Sequence, residues 1–238
     1  MANAIVLASG GLDSTVLSYY LKRERKIEKL KLVFIDYGQK CLKEEFFCVK
    51  NLAKNLNAEI KVIDAKWLGR ISTSLINKNA NKKEIKDIPK EKEIISWYVP
   101  CRNAIFLLVG LAVAESEFIS KEEKYEVYIG IKHEGKLSFR DTTPEFLEQM
   151  NNLVGFCTQK GDFRFIAPFL EKDKEEIIEL AEELKVPLEK TYSCYIGRGL
   201  KKLDNKHFMV HCGICGACKE RKKAFRFSNK TDQTIYKS

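Results

Sequence analysis

Apolar positions along this chain follow two alternating rhythms. Short apolar runs at Asn3-Ala4-Ile5-Val6-Leu7-Ala8, at Leu32-Val33-Phe34-Ile35-Asp36 and from Glu59 to Asp64 read as buried parallel strands. Between them, Thr15 to Leu21 and Leu42 to Asn57 keep a helical period; in the second, Leu42, Phe46, Val49, Leu52, Ala53 and Leu56 share one face. This βαβαβ succession predicts an α/β fold, doubly wound around a mainly parallel, Rossmann-like sheet. Farther along, Asn103 to Val109 opens a very apolar helix and Val127 to Ile131 forms a strand. Pro144 starts another helix, Phe165 to Phe169 a last short strand, and Lys174 to Leu184 an amphipathic helix. Residues 66–96 break the rhythm. They are polar, rich in Lys and Asn, and hold one proline, Pro89, which predicts a long surface excursion.

A chain of 238 residues can bury a sizeable core, and the pattern divides it into an α/β body at 1–189 and a small module at 190–238. No apolar run approaches eighteen residues and no secretory pattern precedes the first strand, so the expectation is a cytoplasmic protein without a membrane span. Eight cysteines in that compartment point to metal or thiol chemistry rather than disulfides. The net charge of +9 is uneven: from Cys194 to Ser238 there are eleven Lys/Arg against three Asp/Glu. Such a patch is compatible with nucleic acid. The preferred reading is that these cations offset thiolates and an anionic nucleotide.

Three stretches carry candidate chemistry. Ser9-Gly10-Gly11-Leu12-Asp13-Ser14 joins the first strand to the first helix. Glycines there let backbone N–H groups approach an anion, and the helix N-terminus adds partial positive charge. Asp36 ends the second strand, where ligands sit in an open α/β sheet; it can accept hydrogen bonds from a nucleoside or hold Mg²⁺. In Val99-Pro100-Cys101-Arg102-Asn103, Arg102 stands at a helix start and reads as a clamp for phosphate or carboxylate. The loop after the strand at 127–131 should line the acceptor site. Cys194, Cys212, Cys215 and Cys218 form Cys-x17-Cys-x2-Cys-x2-Cys, a spacing suited to a closed, structural zinc site. His207 or His211 replacing one cysteine, and an iron–sulfur cluster, stay open as alternatives. Cys41, Cys48 and Cys157 read as small packing residues.

The Ser9–Ser14 hexapeptide resembles the pyrophosphate loop of the N-type ATP pyrophosphatases. With Asp36-Tyr37-Gly38-Gln39, Val99-Pro100-x-Arg102-Asn103, Asp141 before Pro144-Glu145-Phe146, Thr191-Tyr192-Ser193-Cys194-Tyr195 and the cysteine trio, the chain is similar to the 7-cyano-7-deazaguanine synthase (QueC) family from about residue 3 to 225. That resemblance implies a zinc-containing homodimer of Rossmann-like subunits. It implies a carbon–nitrogen ligase converting 7-carboxy-7-deazaguanine, ammonia and ATP to the nitrile by adenylating first the carboxylate and then the amide, in queuosine or archaeosine biosynthesis. Carried over, Ala8, Ser9, Gly10, Gly11, Leu12, Asp13, Ser14 and Thr15 surround the ATP phosphates with Mg²⁺, and Asp36 lies near the nucleoside. Asp13, Ser14 and Arg102 carry catalysis; Arg102, Asn103, Phe139 and Asp141 face the acceptor. The chain departs from the family at Cys101, where glycine is usual, in a longer spacer after Cys194, and at Lys132 to Lys136. These departures fall on the acceptor side. The alternatives are a divergent adenylating ligase joining a deazaguanine acid or another carboxylate to a different amine, a tRNA-modifying relative, and, in another class, a nucleotide-binding interaction protein without turnover.

Overall fold

A computed structural model describes residues 3–78, 88–89, 92, 95–133, 135, 139–197, 199–203 and 206–237. Five strands, β1 (Asn3–Leu7), β2 (Leu30–Asp36), β3 (Glu59–Asp64), β4 (Tyr125–Ile129) and β5 (Phe165–Ile166), form one sheet in the order β3-β2-β1-β4-β5. Every pairing is parallel. The order reverses between β1 and β4, so their carboxyl ends bound the crevice where such sheets bind ligands. All seven residues of β2 are buried, as its apolar run requires of a central strand. The edge strand β3 has no fully buried residue and leaves Val62 exposed.

Helices α1 (Leu12–Arg23), α2 (Leu42–Leu56), α3 (Lys66–Ile71), α4 (Arg102–Lys121), α5 (Pro144–Cys157) and α6 (Lys174–Glu183) accompany the sheet. The α4 helix is long and apolar enough to cross a membrane by length and composition. It instead packs on the sheet: Gly110 lies so close to Val127 and Leu7 that an added Cβ would stand 2.7 Å from Val127 Cγ1. An ion pair is buried between the sheet and this helix. Lys31, in β2, bonds Glu117 of α4 at 2.6 Å and Glu59 at 3.1 Å. Burial alone would lift the Glu117 carboxyl, but hydrogen bonds from Lys121 and Lys31 hold it down to about 2.

Several elements differ from the sequence reading. The first helix begins at Leu12, ahead of Thr15, because Gly11 in extended conformation serves as its N-cap. The fourth strand ends at Ile129 rather than Ile131, and the last sheet strand holds two residues only. The excursion at 66–96 is partly built into the body. It opens with α3, buries Leu68, Ser72, Ser74 and Ile76, and bonds Lys40 N–H to the Ile76 carbonyl at 3.0 Å. Residues 79–87, 90, 91, 93 and 94 of it lie outside the described residues. The C-terminal stretch holds strands that periodicity missed: β6 (Leu200–Leu203) pairs antiparallel with β7 (Lys206–His211), and β8 (Ile235–Tyr236) pairs parallel with β7. Helix α7 (Gly216–Phe227) starts inside the cysteine trio, with Cys215 as its N-cap and Cys218 in its first turn. Cys41 and Cys48 are buried as expected, whereas Cys157 is exposed at the end of α5.

Candidate active site and metal centre

The loop after β1 folds on its own hydroxyls. Gly11 N–H donates to Ser9 Oγ at 3.3 Å, Ser9 N–H donates to Ser14 Oγ at 3.3 Å, and the two hydroxyls lie 3.2 Å apart. Gly10 sits at φ 72° against α2, where a Cβ would come within 2.5 Å of the Glu45 carbonyl; only glycine fits. Across the crevice Gly130, just past β4, leaves room for the start of α1, since a Cβ there would stand 3.1 Å from Ser14 N. The first turn of α1 therefore opens into the switch point with backbone N–H groups that have no intrahelical acceptor. Leu12 and Thr15 turn their side chains inward and are buried. Ser9 and Asp13 remain the more accessible members.

Asp13 pairs with Lys174, the first residue of α6, through Oδ2 at 2.5 Å, while its Oδ1 is buried without a partner. The two residues are 161 positions apart, so no local motif announces Lys174. This puts a cation at the mouth of the anion cradle. It is the charge such a loop needs, since the hexapeptide itself has no Lys or Arg.

Asp36 is placed as expected at the carboxyl end of β2, where Oδ1 accepts from Gly38 N–H at 3.1 Å and Oδ2 lies 3.3 Å from Lys66 Nζ. Beside it a second polar cluster forms. Gln39 receives Tyr37 N–H on its amide oxygen and donates to the Glu45 carboxylate at 3.0 Å. Burial pushes that carboxyl up to about 7, against the pull of Gln39 and Arg102. Arg102 faces Tyr37, Tyr195 and Asp141; burial works against its charge, and these three neighbours more than offset it. Asn103 is buried and structural in its contacts: it donates to the Asp141 carbonyl at 3.0 Å and accepts from Arg102 Nε at 3.3 Å. Phe139 stacks on Tyr98 with centroids 5.6 Å apart. Arg102, Asn103, Phe139 and Asp141 are thus brought together, with Tyr37 and Glu45 added by the fold. Cys101, at the start of α4, is exposed and holds φ 56°.

The four cysteines converge. Cys194, Cys212, Cys215 and Cys218 are all buried, with their sulfurs within 4.8 Å of one another. Four Zn–S bonds of about 2.3 Å in a tetrahedron put sulfurs about 3.8 Å apart, and Cys212 and Cys218 stand at 3.8 Å. Backbone N–H groups of Cys212 and Ile196 point at Cys194 Sγ, and those of Ile214 and Cys215 at Cys212 Sγ. Hydrogen bonds from Cys194, Cys215 and Cys218 hold the Cys212 thiol well below its ordinary value. The donor set fits a tetrahedral ion with no open position. His211 is outside it, because its Nε2 accepts Ser193 N–H at 3.0 Å; the side chain of His207 lies outside the described residues. Arg221 is spent on Asp232, Thr191 and Ser193, not on the thiolates.

The family model described as "Queuosine biosynthesis protein QueC" matches residues 3–229. The 7-cyano-7-deazaguanine synthase of Methanothermobacter thermautotrophicus is 31% identical over 238 residues, covering 98% of this chain and 99% of that protein. Its counterpart in Methanococcus maripaludis strain C7 is 34% identical, with 98% of each covered. The counterpart in Nitratiruptor is 33% identical, with 99% of each covered. Among solved structures, the NMN synthetase of Francisella tularensis aligns over 98% of this chain and 79% of that one. Its 16% identity and TM-score of 0.37 are too loose to argue from.

Proposed function

The chain belongs to the QueC family of queuosine biosynthesis proteins, and from that premise we propose that it converts 7-carboxy-7-deazaguanine, ammonia and ATP to 7-cyano-7-deazaguanine. The observation that carries this reading is the Ser9–Ser14 loop opening at the switch point of a parallel sheet with Lys174 paired to Asp13. A carboxylate has no leaving group until its oxygen attacks the α-phosphorus of ATP and releases pyrophosphate. The loop's N–H groups and Lys174 then stabilise the charge on the departing pyrophosphate. Asp13, or Asp36 at the neighbouring strand end, would supply an oxygen ligand for the Mg²⁺ that accompanies ATP. Ammonia displaces AMP from the acyl adenylate to leave the amide. A second adenylation, on the amide oxygen, allows AMP to depart and the nitrile to form.

Arg102 holds the acceptor carboxylate, or the phosphate being transferred, in this reading. Asn103 fixes Arg102 and the 139–142 turn, and Phe139 stacked with Tyr98 offers an aromatic wall to a flat base. The four cysteines hold a structural zinc ion within a module at 190–238 that closes on the body at 1–189. We assign the protein to the cytoplasm, as a homodimer acting on a small molecule rather than on nucleic acid. Incubation with ATP, ammonium and 7-carboxy-7-deazaguanine should give AMP and the nitrile together by mass spectrometry. AMP with a different adduct would replace the acceptor assignment, and no AMP with this acid would overturn the reading.

A further inference from the structure

Arg221 is the largest fully buried side chain among the described residues, 1% exposed, and it sits on α7 just beyond Cys218. A guanidinium has five N–H donors, and all five are engaged. Nε and Nη2 reach the Asp232 carboxylate at 3.1 and 3.2 Å, Nη1 reaches Thr191 Oγ1 at 2.8 Å and Ser193 Oγ at 3.3 Å, and Nη2 also reaches the Leu188 carbonyl at 3.0 Å. Asp232 is itself fixed by Thr234 N–H and the Tyr236 hydroxyl. The segment that Arg221 grips, Leu188–Ser193, has no regular structure beyond a single 3-10 turn. Besides the backbone bonds of that turn and Ser193 N–H on His211, these side-chain contacts are what hold it.

That same segment touches the anion cradle. Tyr192 N–H donates to the Gly10 carbonyl at 2.9 Å, and the Tyr192 carbonyl lies 3.5 Å from where a Gly11 Cβ would stand. Gly10 has a positive φ that glycine adopts without steric preference, and this bond fixes the direction of its carbonyl. We propose that Arg221 is a positioning residue for the pyrophosphate loop. By locking Thr191 and Ser193 on either side of Tyr192, it sets the hydrogen bond that shapes Gly10-Gly11 and aims the following N–H groups at the ATP phosphates. The inference rests on the reading of this loop as the ATP site, and it gives the C-terminal module a part in the chemistry through α7. Lysine cannot replace Arg221, because an ammonium cannot span the carboxylate, both hydroxyls and the carbonyl at once.

The test uses the full-length, zinc-loaded protein. Thr191→Val keeps the shape of the side chain but removes the hydroxyl that accepts from Arg221, and Thr191→Ser restores it. The readouts are ATP–pyrophosphate exchange with 7-carboxy-7-deazaguanine, the KM for ammonium, zinc content, and deuterium uptake by peptides spanning Ser9–Ser14. Thr191→Val should lower kcat/KM for ATP at least tenfold, leave the KM for ammonium within twofold, retain zinc and speed uptake at Ser9–Ser14. Thr191→Ser should recover to within threefold of the parent, and Arg221→Lys should behave like Thr191→Val. A Thr191→Val protein with unchanged ATP kinetics and unchanged uptake overturns the positioning role, even if its melting temperature falls. A parent protein without ATP-dependent exchange overturns the loop reading itself, and the positioning role with it.

Discussion

Cys101 occupies a backbone conformation that side chains resist. At φ 56° it starts α4 in the left-handed region, where a Cβ crowds the following carbonyl and costs about 1 kcal/mol. Glycine is free of that cost, which gives a physical reason for the glycine usual there in the resembled family. The residue is exposed, so it fills no tight space. Cys101→Gly should therefore raise stability by about 1 kcal/mol, less the extra chain entropy of glycine, and leave nitrile formation intact. Thermal denaturation and product assays check both parts; loss of product would instead assign the thiol to the acceptor site. Glu45 gives the second test at this scale. Its carboxyl is raised to about 7 in the folded chain, so the folded state keeps its proton longer than the unfolded state does. The stability this provides is complete below about pH 4.5 and is lost as pH rises through about 7, a change on the order of 3 kcal/mol. Glu45→Gln should flatten that part of the stability–pH curve, leaving the variant more stable than the parent at pH 8.5 relative to pH 4.5. Identical curves would remove Glu45 from the account. Neither Glu45 nor Lys174 stood out in the linear sequence. Each is an unremarkable charge on an amphipathic helix, and only the approach of Gln39 and Arg102 to Glu45 and of Asp13 to Lys174 gives it a site.

The elements divide by how much of their character is local. The bounds of α2 and β3 were legible to within a residue, because an unbroken helical period and a short apolar run each admit one reading. The four zinc-spaced cysteines were legible for the same reason: the two-residue spacings put three sulfurs close together before any tertiary structure is known. Strands β6 and β7 were not, since Leu200–Leu203 and Lys206–His211 mix lysines with apolar residues and hold together by pairing with each other. The reading of 66–96 as a surface excursion missed the buried Ser72, Ser74 and Ile76, because the Ile76–Asn77 turn is bonded to Tyr37 and Lys40, far away in sequence. A metal ion on the four cysteines would join such weakly self-sufficient elements, and its binding would be part of the folding free energy. Cys215→Ser should lower zinc content and thermal stability together, and the parent should contain one colourless zinc per chain by metal analysis. Iron, or visible charge-transfer bands, would reassign the centre as a cluster.

For the whole molecule, the apolar surface left over matters most. Phe156, near the end of α5, is 87% exposed, with Leu153 one turn before it at 39%, and α4 leaves Ile119 59% exposed. Scattered apolar residues are ordinary, but a nearly naked phenylalanine beside a second apolar side chain on the same helix marks a surface that gains by being covered. In a two-fold dimer each such residue appears twice. Burying one phenylalanine contributes about 1.5–3 kcal/mol, so a symmetric contact through Phe156 is worth about twice that, a factor of a hundred or more in the dissociation constant. Phe156→Lys removes the apolar contact and adds like charges to a chain whose net charge is already +9. The substitution suits the C-terminal turn of α5, where a cation complements the helix dipole, so folding should survive. Sedimentation at micromolar concentration should show a dimer for the parent and a monomer for Phe156→Lys, with zinc content and circular dichroism unchanged. A Phe156→Lys protein that still sediments as a dimer would move the interface away from α5, and a monomeric parent would remove the homodimer from the account.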